Sequence, residues 1–253
     1  MSILKIKNIA KDFGGLRALN KVNFEVRQGE ILGLIGPNGS GKTTMLNVIT
    51  GFLKPTEGQI TFKDEIISGT KPYQIAKKGV VRTFQHTSIF PDLTVEENIV
   101  RGAHLHDASS ILGSFFLSRK YKEKEAELRR EAMDILAFVN LKEKSERLAR
   151  NLWAAEQKIL EIAIALAAKP ELLLLDEPAS GMNLAEALRS MELIKLIQKN
   201  GTTIIIIEHN MKVIMQLCSR IVVLNEGTKI TEGSPAEVGN NEEVISIYLG
   251  TRK

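Results

Sequence analysis

Cysteine occurs once in 253 residues, as Cys218 within "VIMQLCSRIVVL". One thiol makes no internal disulfide, which excludes a cross-linked secreted scaffold and suits a reducing cytosol. No run approaches the roughly eighteen apolar residues that a membrane span needs. The first residues, "MSILKIKNIAKDF", alternate apolar and polar like a strand and lack the apolar h-region of a secretory signal. The protein is therefore expected to be soluble on its own and not exported. Internal repeats and low-complexity tracts are missing as well, and tryptophan appears once, at position 153. The net charge of +4 is spread along the chain and balanced locally, so it argues only weakly for nucleic acid and equally allows a mild attraction to an anionic membrane surface. The length suits one large core, or one core with a subdomain.

Strand-like runs cluster in the first ninety residues or so: "SILKIKNI", "VNFEV", "EILGLIG", "GQITF" and "GVVRTFQ". From about residue 170, strands and helices alternate. "LLLLD" and "TTIIIIE" are continuous apolar runs, as parallel strands covered on both faces require. Helices are expected around 185–199 and 210–218, followed by the strands "RIVVLNEG" and "TKITEG". The segment between, 92–168, has almost no strand signal. Its charged stretch reads as an exposed helix, with Glu125 four residues from Arg129. The expected organisation is an α/β core made of residues 1–91 and 169–253, interrupted by a helical insertion at 92–168.

Two motifs carry chemistry. "GPNGSGKTT" comprises Gly36, Pro37, Asn38, Gly39, Ser40, Gly41, Lys42, Thr43 and Thr44, and it lies between an expected strand and an expected helix. In that setting a Gly-x4-Gly-Lys-Thr loop wraps its backbone N–H groups around phosphates, aided by the positive end of the following helix. Lys42 is expected to reach the β- and γ-phosphates and Thr43 to bind Mg2+. A glycine-rich turn without function is the bland alternative. "LLLLDEP" places Asp176 and Glu177 at the end of an apolar strand. Asp176 is then a candidate metal residue, normally acting through water. Glu177 is the candidate general base, able to orient and deprotonate water in line with the γ-phosphate. Alone, the pair would read as solvated acids ending a strand.

Taken together, these stretches resemble the ATP-binding subunit of an ABC transporter, over essentially the whole chain. The resemblance implies an α/β P-loop NTPase fold with an N-terminal antiparallel β subdomain and an inserted helical subdomain, and ATP with Mg2+ as cofactors. It places Gln85 of "VRTFQ" in the Q-loop, touching Mg2+ and water, and His209 of "IIIIEHN" as the switch histidine on the γ-phosphate, 32 residues beyond Glu177. Phe13 falls where an aromatic ring stacks on adenine. Asn183 of "ASGMN" falls in the D-loop, where many members carry aspartate. Each of these would be unremarked alone, a core ring or a satisfied polar group. "GFLKPTEGQITF", "LTVEENIVRGAH" and "VISIYLG" look like the branched-chain amino-acid uptake subfamily. Such proteins power permease subunits made on other chains, at the cytoplasmic face of the membrane. "HTSIFPDLTVEEN" is the expected docking surface.

One stretch departs from the family. Where a Leu-Ser-Gly-Gly-Gln signature is usual, this chain has Leu152, Trp153, Ala154, Ala155 and Glu156, and Ile164 stands where an arginine is common. In the family, two subunits dimerise head to tail and the signature of one covers the γ-phosphate held by the other. A hydroxyl bond to a charged phosphate contributes about 1.5–3 kcal/mol, and an indole cannot replace it. The helix at 155–168 keeps its backbone N–H groups, and Asn151 is expected to cap it in place of the serine. The expectation is an impaired signature and unequal ATP sites in a dimer with a second ATP-binding subunit, whether a copy or a different chain. Two other outcomes stay open. Trp153 packs as a hydrophobic staple and the site adapts, or the chain is a nucleotide-controlled clamp or regulator with little hydrolysis. An ABC-type ATPase acting on nucleic acid predicts a long coiled-coil insertion or tandem cassettes, and neither is present.

Overall fold

A computed structural model of the chain describes residues 1–83, 89–104 and 119–249. Two long strands open it, β1 (Ser2–Phe13) and β2 (Leu16–Arg27). They pair antiparallel with Leu4 opposite Val26 and Ile6 opposite Phe24. β3 (Ile31–Ile35) is buried at every position and leads through residues 36–41 into α1 (Lys42–Ile49). β4 (Glu57–Phe62) returns antiparallel beside β1, and β5 (Glu65–Ile66) completes a sheet of order β2-β1-β4-β5. α2 (Pro72–Lys77) begins with a proline in the first turn, where the missing N–H costs nothing. It feeds β6 (Val80–Arg82).

Among the described residues three α-helices follow: α3 (Val95–His104), α4 (Arg119–Phe138) and α5 (Ala154–Ala167). The chain then alternates through β7 (Leu172–Asp176), α6 (Leu184–Lys199), β8 (Thr203–Ile207), α7 (Met211–Leu217) and β9 (Arg220–Asn225). β10 (Thr228–Gly233), α8 (Pro235–Gly239) and α9 (Glu242–Leu249) end the described chain. Among the described residues these strands form a second sheet of order β10-β9-β3-β8-β7-β6, parallel throughout except for β10. Parallel pairing sets the carboxyl ends of β3, β7 and β8 along one edge, where loops of α/β proteins gather ligands.

The apolar runs are explained by what lies on each face of this sheet. Leu172, Leu174, Ile205 and Ile207 pack with α1 and the amino-terminal strands, while their neighbours Leu173, Leu175, Ile204 and Ile206 pack under the helices. Burying each such side chain contributes about 1.5–3 kcal/mol. Among the described residues of 92–168, Val95, Ile99, Leu136, Leu160 and Ala163 belong to the same apolar cluster as Leu173, Leu175, Ile204 and Ile206 of the sheet. Ile164 is occupied by that packing too: a Cβ on Gly102 would lie 2.8 Å from it, so α3 and α5 approach closely only because glycine faces isoleucine. Arg129 bridges Glu125 and, across the helices, Glu96.

Candidate active site

The loop between β3 and α1 is shaped by close backbone contact. Gly36 is buried, and any Cβ there would collide with the Leu224 carbonyl and the Ser40 hydroxyl. The loop rests on its neighbours: the Gly227 N–H donates to the Ser40 carbonyl at 3.1 Å, and the Asn20 N–H donates to the Gly227 carbonyl at 2.8 Å. Helix α1 starts at Gly41 with no side-chain cap and no acid in its first turn. Its first N–H groups are thus left to an anion, at the positive end of the helix. The Ser40 hydroxyl is buried without a hydrogen-bond partner, a feature a phosphate oxygen would satisfy. Lys42 folds over the loop and donates to the Gly36 carbonyl at 2.8 Å and the Pro37 carbonyl at 2.9 Å. Burial pushes its ammonium pKa down, while Glu177 and Asp176 hold it up. Thr43 and Asn38 are exposed, and Pro37 and Thr44 are half-buried.

The carboxyl ends of β7 and β8 bring two acids and a histidine alongside. Asp176 is buried, and its Oδ2 accepts from Arg82 at 2.6 Å. Glu177 takes a left-handed backbone, φ 52, directly after the strand, while its N–H still donates to the Ile207 carbonyl at 2.9 Å. Such a backbone is uncommon for a residue with a Cβ and turns the side chain out of the strand direction. His209 Nε2 lies 2.8 Å from Glu177 Oε1. Next to His209 in sequence stands Glu208, an acid that "IIIIEHN" gives no reason to single out. It is 5% exposed and accepts from the Ala179 N–H at 2.7 Å. Burial pushes its carboxyl pKa up, against backbone N–H donors at Ala179, His209 and Asn210 and with a contribution from Glu177. Glu208 therefore ties the turn after Glu177 to the turn carrying His209. Its only sequence signal is an acid ending an apolar strand.

The remaining candidates are more dispersed. Gln85 lies outside the described residues. Phe13 ends β1, 45% exposed, with Lys11 over its ring at 5.1 Å. Asn183 caps α6: its side chain accepts from the Glu186 N–H at 3.0 Å and Glu186 reaches back at 2.9 Å. Asparagine and aspartate both serve as N-caps, so the departure from aspartate leaves this role intact. Tyr248 of α9 is 38% exposed; burial pushes its phenol pKa up, and the nearby Gly36 backbone opposes that shift. No sequence pattern pointed to that contact.

At α5 the structure corrects two expectations. Asn151 does not cap the helix; it sits in a short 3-10 turn, Ala149–Asn151, and the cap position is Trp153. An indole offers no acceptor, so only half of a capping box forms, with Glu156 Oε2 accepting from the Trp153 N–H at 3.2 Å. Glu156 also pairs with Lys144. The second correction concerns packing: Trp153 is 76% exposed and is no hydrophobic staple, whereas Leu152 is buried. Ala154 is exposed and Ala155 half-buried. The segment before α5 is stitched to the one before α3. Ala149 donates to the Leu93 carbonyl at 2.9 Å, Arg150 to that of Pro91 at 3.2 Å, and Val95 to that of Arg147 at 2.9 Å.

Comparison with known proteins agrees with this geometry. The family model of ABC transporters matches residues 19–180, and that of the branched-chain amino acid ATP-binding cassette transporter matches 228–253. The high-affinity branched-chain amino acid transport ATP-binding protein LivG of Salmonella typhimurium is 42% identical over 98% of both chains. Among solved structures, a nucleotide-free ATP-binding cassette from an ABC transporter superposes with a TM-score of 0.88 at 34% identity, covering 99% of this chain and 100% of that one. A dimeric bacterial ABC transporter cassette superposes at 0.77, with 26% identity over 92% of this chain and 98% of that one. With a family match over most of its length and full-length relatives of this identity, the chain belongs to the ATP-binding, ATP-hydrolysing subunits of ABC transporters, in the group of the branched-chain amino acid transport ATP-binding proteins.

Proposed function

We propose that the chain powers a membrane importer for branched-chain amino acids, docked at the cytoplasmic face on permease subunits supplied by other chains. Among the described residues no helix is long and apolar enough to cross a membrane, so a span has to come from elsewhere. Phe90, Pro91 and Asp92 form an exposed corner ahead of α3, held by Asn98, whose Oδ1 accepts from the Phe90 N–H at 2.7 Å. We assign the permease contact to this corner. The nucleotide-binding core is residues 1–91 and 169–253, and 92–168 is the helical layer that turns with the permease.

In this reading Phe13 stacks on adenine, residues 36–44 wrap the phosphates, and Lys42 leaves the Gly36 and Pro37 carbonyls for phosphate oxygens. Thr43 and Asp176, with Gln85, form the Mg2+ site. One hydroxyl and one carboxylate among the described residues suit Mg2+, which keeps several waters and takes its other ligands from phosphate. When bound, the ion neutralises charge on the phosphate oxygens. Glu177 accepts the proton of the attacking water, and His209 contacts the γ-phosphate while holding Glu177. The observation that carries the reading is the 2.8 Å Glu177–His209 pair beside a buried Lys42.

The signature residues Leu152, Trp153, Ala154, Ala155 and Glu156 are proposed to serve the partner's ATP poorly. Glu156 turns its own carboxylate onto the start of α5, where an intact signature presents donors to phosphate. The ATP sites of a dimer with a different subunit would then be unequal. The site on this chain's loop hydrolyses, and the opposite one binds ATP but turns it over slowly. The test is sedimentation of the Glu177→Gln chain with and without Mg-ATP, beside a version also carrying Trp153→Ser, Ala154→Gly and Ala155→Gly. Only the second is expected to dimerise, since the missing hydroxyl bond corresponds to roughly 10–100-fold in affinity per site. Dimerisation of both would remove the basis for unequal sites.

A further inference from the structure

Arg82 closes β6, and its guanidinium reaches two other elements. One arm donates to Asp176 Oδ2 at 2.6 Å and the other to Asn47 Oδ1, on α1, at 2.6 Å. The two charged side chains are only 5% and 2% exposed. The next residue joins in, because the Asp176 N–H donates to the Thr83 hydroxyl at 3.4 Å. A carboxylate this deeply buried needs a compensating charge, and removing one partner of such a pair is strongly destabilising.

We propose that Arg82 is a positioning residue that supplies the counter-charge of Asp176 in the metal-free protein and fixes the carboxylate between the phosphate-loop helix and the strand leading into residues 84–88. The inference rests on the reading of Asp176 as a metal residue. Without Arg82 a carboxylate needed for a divalent cation would lose its directly bonded counter-charge whenever the metal is absent, and keep the Lys42 ammonium only as a charge nearby. The guanidinium engages Oδ2, so a metal served by Asp176 would draw on Oδ1. The fork geometry matters: arginine serves Asp176 and Asn47 together, whereas an ammonium is a single point. Arg82 and the metal thus stabilise the same charge and should be thermodynamically coupled.

The experiment is thermal unfolding of the purified full chain, unchanged and as Arg82→Met, in three conditions: no nucleotide, ADP with EDTA, and ADP with Mg2+. Without nucleotide, Arg82→Met is expected to lower Tm by about 6–20 °C. The decisive reading is the further shift from ADP–EDTA to ADP–Mg2+. It should be larger in Arg82→Met than in the unchanged chain by about 3 °C or more, because the metal restores the missing positive charge. Arg82→Lys, which keeps the charge, should bring the metal increment most of the way back. A purely structural role lowers Tm equally in all three conditions, and equal increments would overturn the proposal. If the unchanged chain itself shows no increment with Mg2+, the metal reading of Asp176 fails, and this inference with it. Should Arg82→Met not fold, Arg82→Met with Asp176→Asn decides: recovery of folding supports the counter-charge, and failure of the double variant overturns it.

Discussion

Replacing Glu177 by glutamine is expected to lower turnover by about 10²–10⁴-fold while leaving ATP binding intact. That range is what a positioned general base contributes. Glutamine keeps the size of the side chain and can still bond His209, so the 2.8 Å contact survives. What it loses is the ability to take a proton. The left-handed backbone at 177 is unaffected, because the change lies beyond Cβ. The measurement is single-turnover phosphate release from the assembled transporter, with nucleotide retention followed in parallel. Release at the unchanged rate would move the proton acceptor elsewhere and reduce Glu177 to a residue that holds His209.

The second large effect is expected at Lys42. Lys42→Ala should weaken nucleotide binding by about 2–4 kcal/mol, or roughly 30–1000-fold. Lys42 is already buried, 6% exposed, so the folded chain carries the cost of desolvating it before ligand arrives. The two carbonyl bonds it makes are replaceable by phosphate oxygens without further burial. Removing the side chain should therefore affect binding far more than folding, with the nucleotide-free Tm changing by only a few degrees. Titration with a fluorescent ATP analogue, beside a melting curve, checks both halves. A Tm loss as large as the binding loss would show that Lys42 mainly holds the loop closed.

How much could be read before the structure depends on the range of each interaction. β3, β7 and β8 were legible because both faces of the sheet are covered, so every position in them is buried and, apart from Thr203 and Asp176 at strand ends, none is polar. The loop at 36–44 was legible because its chemistry lies in consecutive residues. Arg82 was not, since the carboxylate it serves is 94 residues away and nothing in "GVVRTFQ" distinguishes that arginine from a surface one. Glu208 and Tyr248 were missed for the same reason. At Trp153 local rules misled in another way. Asn151 has the better capping chemistry, but the backbone bond from Asn151 to the Leu148 carbonyl at 2.9 Å draws it into the preceding turn and leaves the cap to the indole.

The backbone bonds between residues 91–95 and 147–150 have a consequence for timing. They join the corner at Phe90 to the short turn ahead of α5 without a long side chain between, and an isolated bridge pairs Thr94 with Leu148. Groups locked in this way open together or not at all. The amide protons of Val95, Ala149 and Arg150 are expected to exchange with solvent at one shared rate, slower than those of the exposed half of α4. If a permease docks at the corner as proposed, tilting it would pull through these bonds on residues 147–150, three residues ahead of the indole at 153.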